Sequence, residues 1–273
     1  MSKINSVCII LGPYRNLTTL TASALALHPE IQCLNHGSSF NEDGSTNFLT
    51  EFSEIKLDTF ISYVLEIVSD NLSVPGDGGV ITASHAFTNY KIMRDLFDKR
   101  QINKYNVKSI VWKESLINTN IIRTTTKNNF ESVINCHRIK FLLPIRNPID
   151  CAFSNMYQGY EKYFSDDTSS KECVLHKLFN IYSWFIECTK QYPGKFMYFF
   201  EYEFKNRLCE LEQFINVTHN DIWHEDINEV WHVVKKYEPD DKMINLYNNL
   251  VATTFADVAI CSLFERFVND YKQ

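Results

Sequence analysis

Two stretches of the chain combine residue types and spacings able to hold an anion. The turn Gly12 to Thr19, GPYRNLTT, follows the apolar run Val7 to Leu11 and precedes the helix-favouring TTLTASALALH. A strand that enters a helix through such a turn leaves backbone N–H groups at the helix start, and the helix dipole adds to their pull on a phosphate. Against the G-x-x-x-x-G-K-[ST] pattern of triphosphate sites, Gly12 and Thr19 fall in place. Leu17 stands where that pattern has its second glycine and Thr18 where it has lysine, which disfavours a magnesium triphosphate. The plainer reading of the same residues is an ordinary strand-to-helix turn capped by Asn16 and Thr18.

The second stretch is FLLPIRNPIDCAFSNMY, Phe141 to Tyr157. A strand is predicted to end at Arg146, with Asn147 as helix cap and Pro148 at the first helical position. Ser154 then shares a helix face with Asp150. A guanidinium at the strand end and a hydroxyl on the adjoining helix suit one phosphate group, whereas the bland alternative pairs Arg146 with Asp150 and leaves Ser154 as a surface hydroxyl. A third cation, Lys113 in VWKES, falls at the C-terminal end of a predicted strand, where open α/β sheets gather their ligands.

The elements that must position these groups follow from periodicity. VCIIL, VKSIVW (Val107 to Trp112), IKFLLPI (Ile139 to Ile145) and KFMYFF (Lys195 to Phe200) read as strands buried on both faces. Helical patterns lie between them: Asn47 to Asp70 as one long or two shorter helices, TNYKIMRDLFDKR, KECVLHKLFNIYSWFIECTKQ, and the region from Asp240 onward. Strand alternating with helix predicts an α/β fold, a P-loop-like parallel sheet flanked by helices, in one domain spanning residues 1–273. Gly37 to Asn47 and Val74 to Gly79 are expected to be loops within that domain.

Bulk properties limit the function classes. With 273 residues and 45% hydrophobic content the chain has apolar mass for a substantial core. No stretch reaches the roughly 20 apolar residues of a membrane span, and Val7 to Leu11 is too short for a signal peptide, so a cytoplasmic location is expected. The net charge of -6 argues against a nucleic-acid-coating protein and makes any anion site local. The eight cysteines, from Cys8 to Cys261, show no CxxC pair and no Cys/His cluster at zinc-ligand spacing. Reduced, mostly buried thiols and no metal are the expectation.

The turn from Arg15 to Leu20 resembles the 5'-phosphosulfate loop of sulfotransferases, written R-S-G-T-T-L or K-S-G-T-T-W. Arg15, Thr18, Thr19 and Leu20 match it, Asn16 stands in for its serine, and Leu17 departs from its glycine, a residue suited to backbone freedom or close phosphate approach. Phe141 to Tyr157 resembles the same family's 3'-phosphate motif, with Arg146 and Ser154 in the binding roles. The two motifs occur in the family's order, each at a strand-to-helix junction. The resemblance implies 3'-phosphoadenosine 5'-phosphosulfate (PAPS) as cosubstrate, held by Arg15, Asn16, Leu17, Thr18, Thr19, Leu20, Arg146 and Ser154. It implies transfer of a sulfuryl group to a small-molecule, natural-product or carbohydrate acceptor, with no nucleic acid and no metal.

Such transfer, like phosphoryl transfer, requires cations for the leaving phosphate and a base for the acceptor. Arg15 and Lys113 are the cation candidates, and a lysine stands at a similar strand end in tyrosylprotein sulfotransferases. In the register of tyrosylprotein and carbohydrate-type enzymes, His28, Pro29 and Cys33 fall on the family pattern and the catalytic glutamate lands on His36. Imidazole titrates near neutral pH and suits that task. Glu114 is the second candidate, His85 the third and His137 the last. FFEYEFKNRL resembles the family's Y-E-D-L segment, in which Glu203 is read as structural, near a helix start. Ser38 to Thr46 and the aromatic stretch Tyr157 to Phe164 are expected to flank the cleft or to serve packing alone. Two other classes remain: a nucleotide or small-molecule kinase with a degenerate phosphate loop, and a noncatalytic binding module.

Overall fold

The computed structural model describes residues 4–35, 47–70, 79–81, 87, 90–164, 170–234, 237–269 and 271. Strand β1 (Ser6–Leu11) is buried at every position, as a β-branched apolar run covered on both faces must be. It lies at the centre of a sheet ordered β3-β2-β4-β1-β5-β6. The other strands are β2 (Ile31–Asn35), β3 (Gly79–Val80), β4 (Ser109–Ser115), β5 (Ile139–Ile145) and β6 (Phe196–Phe200). Five strands are parallel, and the two-residue β3 joins the edge of β2 antiparallel.

Alternation along the strands divides the core in two. Cys8, Ile10, Val111 and Leu142 point to one face, covered by α1 (Thr18–Ala26), α3 (Lys91–Lys99), α8 (Leu208–Phe214) and α9 (Asp221–Val230). Val7, Ile9, Ile110 and Phe141 point to the other. That face is covered by α2 (Glu54–Asp70), α5 (Lys127–Asn135), α6 (Pro148–Tyr157), α7 (Lys171–Gln191), α10 (Asp241–Thr254) and α11 (Val258–Asn269), with Ile122 of α4 (Leu116–Thr124) at its edge. The parallel sheet flanked by helices is thus as expected.

Differences lie in the elements and their ends. Residues 31–35 form a strand that the periodicity did not expose, because five residues between turns carry too little pattern. Helices α4 and α5 were likewise not expected. The helix expected from Asn47 begins only at Glu54. Before it the Asn47 side chain accepts from Leu49 N at 3.0 Å, and the Thr50 hydroxyl donates to Asn47 O, a local turn that competes with helix. Strand β4 extends three residues past Trp112 and so carries Lys113 to the sheet's C-terminal edge. All eight cysteines are free thiols, five of them buried.

At the end of β1 the chain turns at Gly12, whose φ of 127° disfavours any side chain. A Cβ there would lie 2.8 Å from Leu143 Cδ1 on β5. Gly12→Ala is therefore expected to lower unfolding free energy by about 2–4 kcal/mol, read as a lower urea midpoint; an unchanged midpoint would show that loop and β5 give way freely.

Candidate active site

The C-terminal ends of β1, β4 and β5 place three loops side by side, and one buried side chain joins two of them. Asn16 is fully buried. Its Nδ2 donates to Pro144 O. Its Oδ1 accepts from Arg146 N at 3.1 Å and from the Tyr182 hydroxyl of α7 at 2.9 Å. The Asn16 amide is thus committed inside the protein, so any part the residue takes in holding an anion falls to its backbone.

The loop around it is strained. Arg15 and Leu17 have φ of 62° and 61°, in the left-handed region that β-carbons disfavour. Leu17 immediately precedes α1 and no side chain caps that helix. The first N–H groups of α1 lack intrahelical partners as in any helix, and here they face the loop. The left-handed backbone at Leu17 gives the family's glycine at this position a conformational reason. Leucine meets the same requirement at about 1–2 kcal/mol and packs its half-buried side chain on the α1 side of the core.

Both anion stretches meet here. Arg15 Nε donates to Ser154 Oγ at 2.9 Å, across 139 residues of sequence. Arg146 donates to Arg15 O at 3.2 Å and pairs with Asp150 at 3.2 Å. The expected Asp150 pairing is therefore real, yet it engages only one edge of the guanidinium. Arg146 is 6% exposed, and its Nε is buried without a hydrogen-bond partner. Asn147 caps α6 by accepting from Ile149 N and Asp150 N, with Pro148 in the first turn, as its sequence implied.

Arg15 and Arg146 line a cleft of about 230 Å³ together with Leu17 to Leu20, Tyr90 and the His232–Val234 segment, while Ser154 lies buried behind Arg15. Tyr90, just before α3, and the His232–Val234 segment after α9 carry no motif, and only the folded chain brings them to the loop. Burial raises the Tyr90 phenol, while Arg15 and Arg146 pull it down. The Tyr14 ring packs at a tilt against Tyr160 and Tyr163 with centroids 5.2 and 5.4 Å apart, so the aromatic stretch packs on the loop itself.

Lys113 pairs in register with Ile10 of β1 and Asn35 of β2, and its Nζ donates to Asn35 Oδ1 at 3.1 Å. Burial lowers its ammonium to about 8, against the pull of Glu114. The β1/β4 register slips beside Glu114, so that Leu11 pairs with Ser115. Ser115 then takes φ of 50°, and its hydroxyl lies 3.0 Å from Thr18 Oγ1. Glu114 is buried in the same strand end. His137 is exposed before β5, at the opposite edge of the sheet. Glu203 accepts from Phe200 N at 3.3 Å, where the chain leaves β6. His36, His85 and the segment Ser38 to Thr46 lie outside the described residues.

Comparison with solved structures agrees with this architecture. Mouse sulfotransferase SULT7A1 complexed with PAP superposes with a TM-score of 0.50 at 10% identity, over 99% of this chain and 91% of that one. A sulfotransferase from Alicyclobacillus acidocaldarius matches with a TM-score of 0.45 at 13% identity, over the whole of both chains. No family model matches the sequence, and a search of curated proteins finds no match. The chain has the sulfotransferase fold.

Asn16→Ala deletes a clamp between the loop, β5 and α7. It is expected to lower unfolding free energy by about 2–4 kcal/mol in urea denaturation. A loss below about 0.5 kcal/mol would mean that the backbone alone holds the loop.

Proposed function

We propose that the chain is a sulfotransferase, a single domain over residues 1–273, that moves a sulfuryl group from PAPS to a hydroxyl or amine of a small-molecule or carbohydrate acceptor. The observation that carries this reading is the meeting of the two stretches, in which Arg15 bonds Ser154 and Arg146 bonds Arg15 O while both arginines line one cleft. Arg146 and Ser154 hold the 3'-phosphate in this reading. Arg15 and the backbone of residues 16–20 hold the 5'-phosphosulfate at the start of α1.

Lys113 lies beside the loop at the strand ends and supplies positive charge as the bridging oxygen departs. His36, next in the chain after the β2 residue Asn35, is the base that takes the acceptor proton, with Glu114 as the alternative. The acceptor attacks sulfur in line, the bond from sulfur to the bridging oxygen breaks, and adenosine 3',5'-bisphosphate leaves. The absence of the loop lysine, with Thr18 instead tied to Ser115, weighs against a kinase.

Adenosine 3',5'-bisphosphate without magnesium is expected to raise the melting temperature of the wild-type chain, and Arg146→Met to weaken its binding at least 100-fold. A shift obtained only with a magnesium triphosphate would identify a kinase instead. Labelled PAPS should sulfate a member of a panel of alcohols, phenols, amines and sugars, and His36→Ala should abolish turnover while donor binding stays. Tight donor binding with no acceptor sulfated would mark a binding module.

The pH dependence follows from Lys113. Its ammonium is present below about pH 8 and lost above it, so kcat/KM is expected to fall on the alkaline side with a midpoint near 8. Lys113→Arg should move that limb to higher pH, because guanidinium keeps its charge. An alkaline limb unmoved by that change would exclude Lys113 as its source.

A further inference from the structure

At the other edge of the sheet, where the parallel strands begin, four side chains able to bind metal converge. Cys209 and Glu212 lie three residues apart on α8, and so on one face of it. His219 lies in the following loop and His224 in the first turns of α9. The loop is bound to the strand starts: the Ser6 hydroxyl donates to Ile215 O, and Lys108 donates to Thr218 Oγ1 at 2.6 Å. One ligand atom from each of Cys209, Glu212, His219 and His224 lies within 4.8 Å of every other.

The geometry points at a common centre. Glu212 is 2% exposed, and both imidazoles aim at the same carboxylate oxygen: His219 Nδ1 at 2.8 Å and His224 Nε2 at 3.0 Å from Oε2. The two rings stand nearly perpendicular, 4.6 Å apart. The other oxygen, Oε1, accepts from Asn220 N at 2.9 Å, which orients the carboxylate. The far nitrogen of His219 lies 2.9 Å from Asp221 Oδ1. A carboxylate on the distal nitrogen is the outer partner that metal-ligating histidines usually have.

We propose that Cys209, Glu212, His219 and His224 form a four-coordinate Zn2+ site that ties α8, the following loop and α9 together. Bonds of about 2.3 Å to sulfur and about 2.0–2.1 Å to nitrogen and oxygen put tetrahedral ligand atoms roughly 3.3–3.7 Å apart, within reach of the present arrangement by side-chain rotation. A thiolate, two imidazoles and one carboxylate suit zinc, which is borderline-soft and tolerates a mixed set. On binding, the Cys209 thiol proton and the proton on His219 Nδ1 pass to buffer. The proton on His224 Nε2 that bonds Glu212 in the free chain is given up and Nδ1 carries one, so that the neutral ring offers Nε2 to the metal. The site is remote from the cleft and does not depend on the sulfotransferase reading.

The test is titration of the full chain with Zn2+ against a chromophoric chelator, followed by Co2+ substitution. One metal per chain is expected, with a thiolate-to-cobalt band in the near ultraviolet and the intense visible bands of four-coordinate cobalt. Cys209 and His219 are exposed side chains, and their variants are checked for native circular dichroism. Cys209→Ser should remove the near-ultraviolet band, the double variant Cys209→Ser/His219→Ala should bind at least 100-fold more weakly, and Asp221→Asn about 10-fold more weakly. Failure of the wild-type chain to take up one Zn2+, or uptake that is the same in the double variant, would overturn the proposal and leave a hydrogen-bonded network around Glu212.

Discussion

A strand-to-helix loop with left-handed residues keeps its shape only where other contacts fix it, and in this chain the buried amide of Asn16 supplies such a contact. Both ends of that amide are engaged, with β5 on one side and with β5 and α7 on the other. Because the acceptor atom serves Arg146 N and the Tyr182 hydroxyl together, the loop and the arginine strand cannot shift independently. The contact of Arg15 with Ser154 and that of Arg146 with Arg15 O both depend on that alignment.

Strain collects at the same edge. Arg15, Leu17 and Ser115 all hold positive φ without being glycine, and each adjoins the cleft or the strand end beside it. Such conformations persist only where surrounding contacts over-determine them. Here the contacts are explicit: Thr18 bonds Ser115, Gly12 N donates to Thr119 at 2.7 Å, and Asn155 donates to Tyr14 O at 2.9 Å. The stability of the doubly covered sheet maintains a loop that short-range preferences alone would relax.

Charge is arranged on a similarly local scale. The chain is acidic overall, yet Arg15, Arg146 and Lys113 gather at the C-terminal strand ends, two of them buried. Asp150 balances one edge of Arg146 and Glu114 acts on Lys113, so the cations are partly compensated before any ligand arrives. In the proposed sulfotransferase reading, charges held in place in this way need not be assembled at the moment of reaction.

The strands Ser6–Leu11, Ile139–Ile145 and Phe196–Phe200 and the capped start of α6 were legible in the sequence, since continuous apolar runs and an Asn-Pro step are local signals with local causes. The parallel, doubly covered sheet followed from their alternation with helices, and Arg15, Arg146 and Ser154 were visible as residues of suitable chemistry at strand ends. What the sequence could not show was which side chains face one another. The clamp of Asn16 on β5, the meeting of Arg15 with Ser154, the approach of Tyr90 and His232 to the loop, and the gathering of Cys209, Glu212, His219 and His224 all arise from packing of distant segments. Leu17 marks the boundary between the two kinds of information. The sequence determined that a β-branchless apolar residue stands where glycine was expected, and only the tertiary structure decided that its backbone is left-handed all the same, because fixed contacts on both sides of the loop outweigh the local preference of one residue.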